Sequence, residues 1–197
     1  MNYLKPIAVF AVALFALVQL LSGGPIKRPP GELAPQTPIQ VLIENAAPIS
    51  KGDFRLLPRA RYDIEARVLS VERYRVDGGS ALSPIDFAVG WGPMSDTATL
   101  EHFRVTQGAR FYIIYPDEQA LDIPTALRHS ANMHLIPASS TVRDTLLSTR
   151  PGNIVALSGY LVSASRSDGF TWNSSLTRDD SGNGACELMY VQSVQKR

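Results

Sequence analysis

Residues Thr171 to Glu187, TWNSSLTRDDSGNGACE, gather adjacent hydroxyls at Ser174 and Ser175, carboxylates at Asp179 and Asp180, and the chain's only cysteine, Cys186. A serine nucleophile needs a base that removes its proton as it attacks. His129 and His134, five residues apart in RHSANMH, are the nearest imidazoles in the sequence. A hydrolase would therefore combine His134 or His129 with Ser174, Ser175 or Asp179. Neither G-x-S-x-G nor S-x-x-K is present to support it.

A cation site is the other chemistry this stretch suggests. Asp179, Ser181, Asn183 and Gly184 fall at positions one, three, five and six of a calcium loop, yet position twelve, which should hold a bidentate glutamate, is Tyr190. The same residues suit a hairpin loop whose side chains bond their own backbone. The His129/His134 spacing fits neither H-E-x-x-H nor neighbouring strand positions, and His102 stands alone, so no metal and no cofactor are expected. Cys186 has Glu187 beside it and no adjacent cation, which reads as a small buried hydrophobe rather than a reactive thiol. Candidate ligand contacts are Trp172, Arg178 and Asn132, with Tyr160, Phe170 and Tyr190 able to extend a stacking platform.

The elements that must position these residues are mainly strands. RYDIEARVLSVERYRV (Arg61 to Val76) alternates polar and apolar residues with phase slips, which predicts one long, bulged, bent strand. ARFYIIYP and CELMYVQSV are strands, and NIVALSGYLVSAS is one with a bend or a close backbone approach at Gly159. GFTWNSSL supplies another. SPIDFAVGWG has Ser83 and Pro84 at helix-start positions and predicts one or two helical turns; short helices are also expected after Ser95, from Pro124 towards Ala131, and from Ser140 or Thr141 to the Arg150-Pro151-Gly152 stop. The sum is a mainly β domain with short helical insertions. A small, partly open barrel of the oligonucleotide/oligosaccharide-binding (OB) type fits best, and a β-sandwich is the second choice.

Ahead of this domain, residues 39–197, stand two other segments. Ile7 to Leu21 is apolar apart from Gln19 and would make about 24 Å of helix with its flanks at ~1.5 Å per residue. Residues 1–22 are read as a transmembrane anchor or uncleaved signal, because Pro25 makes a poor neighbour for signal cleavage. Residues 23–38, with five prolines, would form a stiff spacer reaching on the order of 50 Å. A short N-terminus before a long polar domain favours export, placing the domain in the periplasm beside an inner membrane.

Without residues 1–30 the chain has 16 basic and 18 acidic side chains, a balance that argues against a nucleic-acid partner. The single cysteine excludes internal disulfides. The strings SPIDFAVGWGPMSD, HSANMHLIPAS and TWNSSLTRDDSGNGACE resemble those of uncharacterised bacterial proteins with a single N-terminal membrane span. The resemblance covers roughly residues 60 to 192; it implies a bacterial, membrane-tethered protein and no activity. The expectation is therefore an envelope module that binds a protein or glycan partner and does no chemistry of its own, with the hydrolase as its rival.

Overall fold

The structure is a computed structural model, and it describes residues 24–177 and 185–197. The mainly β expectation holds. Ten strands run along the described residues: β1 (Ile39–Leu42), β2 (Ile49–Lys51), β3 (Phe54–Arg73), β4 (Ile85–Gly90), β5 (Phe103–Gly108), β6 (Phe111–Pro116), β7 (Ser130–Pro137), β8 (Ile154–Arg166), β9 (Thr171–Asn173) and β10 (Glu187–Lys196). Three short helices, α1 (Thr97–Leu100), α2 (Ile123–Arg128) and α3 (Ser140–Leu147), lie between them.

Eight strands form one sheet in the order β1-β3-β4-β7-β10-β8-β9, with β2 on β3 and a further β3–β8 pairing; β5 and β6 form a separate hairpin. The pairings β3–β4, β4–β7, β7–β10, β10–β8 and β8–β3 therefore return to their starting strand. All are antiparallel except β7–β10. β3 can serve two neighbours because it is long and bulged: its first part pairs with β8 and its last with β4, with register shifts at Pro58/Ala60 and Val68/Ser70. The second coincides with the slip from Val68 to Leu69 visible in its sequence; the first lies ahead of the stretch in which slips were read. The main core fills the interior with Tyr62, Ile64, Ile85, Phe87, Val89, Met133, Leu135, Leu157, Leu161 and Met189, closed at one side by Val142 and Leu146 of α3.

Ser83–Gly92 is the main correction. Instead of helical turns it supplies β4, a strand buried on both faces between β3 and β7. Ile85, Phe87 and Val89 alternate into the core, and burying that face across two neighbouring strands outweighs the Ser-Pro start signal. α2 ends at Arg128, short of Ala131, because β7 begins at Ser130. α3 is capped by Ser139 rather than Ser140, its hydroxyl accepting from the Val142 N–H.

The proline-rich stretch does not stand away as a spacer. Ile26 donates its N–H to the Pro151 carbonyl, Arg28 donates to the carbonyls of Gly152 and Arg197, and the Leu33 and Ala34 N–H groups donate to Ser95 Oγ. Ala34 is fully buried. The anchor expected over residues 1–22 lies outside the described residues. No helix among the described residues is long and apolar enough to cross a membrane.

Candidate functional site

Strand alternation sends the odd residues of β4 and β7 inward and the even ones to the outer face of the sheet. On that face Asp86 of β4 stands directly opposite His134 of β7. His134 Nδ1 lies 2.9 Å from Asp86 Oδ2, with the imidazole side chain 4% exposed and the carboxylate wholly buried. The β5–β6 hairpin folds over this face. At its tip Ala109 and Arg110 both adopt positive φ, a two-residue hairpin turn made without glycine. Its cost is offset by the bonds of Arg110. The guanidinium donates to Asp86 Oδ1 at 2.7 Å, to both oxygens of Asp77 at 2.8 Å and to the Ser83 carbonyl, and it stacks 3.6 Å from the centroid of Tyr74. Asp77 is held below the usual carboxylate range mainly by its bond to Arg110.

The fourth component is Cys186, at the start of β10. β10 runs parallel to β7 with Leu188 beside His134, which brings the preceding cysteine to the Asn132–His134 part of the outer face. Asn132 Nδ2 donates to Cys186 Sγ at 3.6 Å. Burial opposes charging of His134, but its hydrogen bond to Asp86, its interaction with Cys186 and the charges of both groups together raise its pKa above the ordinary value. Nδ1 is committed to Asp86, and the Cys186 thiol donates to the Arg110 carbonyl at 3.9 Å. Trp172 of β9 covers the imidazole, its ring centroid 4.7 Å away, and is itself packed against Gly79 of the β3–β4 loop, where a Cβ would overlap the indole.

His134, Cys186, Trp172, Arg110, Phe111, Thr171 and Asn173 line a cavity of about 340 Å³. An imidazole and a thiol thus share the wall of a solvent-accessible recess, with a buried carboxylate bonded to the imidazole behind it. That order of groups is what nucleophilic attack by sulfur requires.

The residues named from sequence divide accordingly. His134, Trp172 and Asn132 lie at the site. His129 does not: it caps α2 with Nδ1 on the Thr125 carbonyl. Ser174 Oγ donates to the Ser175 carbonyl and accepts from the Leu188 N–H, and Ser175 Oγ bonds Thr177, so both hydroxyls hold the entry to β10. Arg178 and Asp179, with the proposed calcium positions from Asp179 to Gly184, lie outside the described residues. Among the described residues no group of three His, Cys, Asp or Glu is placed to hold a metal. His102 pairs with Asp117 at the base of the β5–β6 hairpin, the end opposite the tip that bears Arg110. Phe170 packs edge-on against Phe54 and Trp172, and Tyr160 pairs with Tyr190 across β8 and β10, so of the stacking platform only Trp172 reaches the cavity wall.

Three contributors escaped the sequence reading. Asp86 was assigned to a helix start, Arg110 to an ordinary strand, and Cys186 was judged by Glu187 next to it rather than by His134, 52 positions away but brought alongside by a parallel strand. Asp86 carried one usable signal: a lone carboxylate inside IDFAV, a run otherwise apolar, needs a buried partner. Compared with protein-family models, curated proteins and solved structures, the chain matches none.

Proposed function

We propose that this chain is a thiol-dependent acyl hydrolase or acyltransferase with Cys186 as nucleophile, His134 as acid and base, and Asp86 as the group that orients the imidazole. The observation that carries the reading is that His134 and Cys186 share one cavity wall while Asp86, buried behind it, bonds the imidazole. In the first step His134 Nε2 takes the thiol proton, sulfur forms a bond to the carbonyl carbon of an ester or thioester, and the bond to the leaving oxygen or sulfur breaks. The leaving group departs with the proton from His134. In the second step His134 takes a proton from water or an acceptor alcohol, whose oxygen attacks the acyl carbon; the S–C bond breaks and the thiol is reprotonated. Phe111 and Trp172 provide an apolar wall for the acyl group, and the exposed Asn173 amide can approach its oxygen.

The test uses the full chain and an activated ester such as p-nitrophenyl acetate. A burst of product together with a mass increase equal to one acyl group, lost in Cys186→Ser, is the expected result. Absence of any acyl adduct on the folded protein across activated esters and thioesters rejects the reading.

A second reading is favoured by where the cavity sits. The five-strand ring, with its bent first strand, its parallel third and fifth strands and a helix between the third and fourth, supports an OB-type barrel. On such a barrel the outer face of the second and third strands, flanked by the first and last loops, is the usual ligand surface. Asp86, His134 and Asn132 occupy that face, and Gly79 and Trp172 meet from those two loops. On this reading the domain binds an envelope protein or glycan, and Cys186→Ser leaves binding intact. The apolar run Ile7–Leu21 supports, in the same proposal, a tether to an inner membrane with the domain in the periplasm; a C-terminal reporter active only in the cytoplasm rejects that placement.

A further inference from the structure

The sulfur has a second polar neighbour whose orientation is fixed from outside the site. Asn132 is 2% exposed. Its Oδ1 accepts from Gln107 Nε2 of β5 at 2.7 Å, and its Nδ2 donates to the Arg110 carbonyl at 3.0 Å as well as to Cys186 Sγ. A backbone carbonyl can only accept. Turning the amide over would set Asn132 Oδ1 against the Arg110 oxygen, so the hairpin tip keeps an N–H directed at the sulfur.

We propose that Asn132 is a catalytic residue of the thiol site, stabilising negative charge on Cys186 once its proton has moved to His134, and that Gln107 and the Arg110 carbonyl are its positioning groups. The assignment rests on the thiol reading of the site. It follows from charge: a hydrogen bond to an ionised acceptor is roughly twice as strong as one to a neutral acceptor, so this contact favours the thiolate over the thiol. The sulfur then keeps the Asn132 amide as a donor, while the Arg110 carbonyl, 3.9 Å away, is the acceptor its proton leaves on moving to His134. It also gives the hairpin a role, because both groups that fix Asn132 come from β5 and from the turn it makes with β6.

The experiment measures alkylation of Cys186 by iodoacetamide as a function of pH in the full chain, read by mass spectrometry; the sole cysteine leaves no other thiol to label. In Asn132→Asp a carboxylate replaces the amide beside the sulfur. The pH at half-maximal rate moves up by about one unit, and alkylation at pH 7 slows roughly tenfold. Gln107→Leu removes one of the two groups that hold the amide and slows alkylation a few-fold, and circular dichroism reports whether each variant is folded. A folded Asn132→Asp protein with the parent's pH profile overturns the proposal. Should that variant not fold, an unchanged rate in Gln107→Leu does the same. Neither measurement needs turnover, so a thiol that responds as stated without forming an acyl adduct keeps this assignment and removes the acyl-transfer function.

Discussion

The indole of Trp172 lies over the imidazole of His134, the ring centroids 4.7 Å apart and the planes inclined at 48°. At this separation the indole face attracts a protonated imidazole and its emission senses the charge. In a Trp91→Phe background, Trp172 fluorescence is therefore low in acid and rises through a single step as pH increases. Because the Asp86 and Cys186 contacts outweigh burial, the midpoint lies above the ~6.5 of a free imidazole. His134→Gln abolishes the step; a midpoint below that value contradicts the assignment.

The same shift has a consequence for folding. His134 binds its proton more tightly in the folded chain than in the unfolded one. Its contribution to stability is thus fully present below ~6.5 and is lost as pH rises through the folded value. Urea midpoints should fall across that window in the parent and flatten in Asp86→Asn. Replacing the carboxylate by an apolar group is costlier, since Asp86→Leu leaves the Arg110 and His134 partners without their buried counter-charge. That loss is about 3–5 kcal/mol, against ~0–1 kcal/mol for Asp144→Ala, which removes a solvent-exposed pair with Arg143.

Gly159 sits in β8 opposite Val191, where the β10 register shifts. A Cβ at this position would overlap the Tyr190 carbonyl oxygen and lie 3.1 Å from the Gln192 nitrogen. The obstacles are backbone atoms that no side-chain rotation can clear. Gly159→Val should destabilise the domain by roughly 1–3 kcal/mol or more, read as a lower thermal midpoint.

Ser95 holds the N-terminal strap: its hydroxyl accepts from Leu33 and Ala34 and donates to the Gly92 carbonyl at 2.7 Å. Ser95→Ala leaves two strap N–H groups without acceptors at a cost of about 1–3 kcal/mol. Hydrogen exchange at Leu33 and Ala34 should accelerate well before that of β3. Unchanged protection at those two amides would show that the strap is held by other contacts.

Strand content was readable in Arg61–Val68 because burial of one face imposes a period-two pattern, and in Phe111–Pro116 from aromatic and β-branched residues, although none of those is buried. β4 was misread because its polar positions carry the site. With Asp86 facing outward, IDFAVG lacks the β-branched regularity of a plain strand, and the preceding Ser83-Pro84 mimics a helix start. Asn132, His134 and Trp172 were singled out from sequence, but what joins them was not legible. Asp86, Arg110, His134 and Cys186 are separated by 24, 24 and 52 positions, and their meeting depends on the β4–β7 register and on one parallel pairing that no local spacing encodes. Ser174 and Ser175 show the converse: adjacent hydroxyls attract notice in a sequence, yet here they bond backbone at a strand entry.

Ile26 and Arg28 grip Pro151, Gly152 and Arg197, next to the first residue of β8, while Ala34 meets Gly92 just past the end of β4. The loops that build the recess leave from the opposite ends of those two strands, before Ile85 and after Arg166. The strap and Arg197 therefore meet on one rim, and Cys186 and Arg197 flank opposite ends of β10, so a support attached through Arg197 leaves the recess facing away from it.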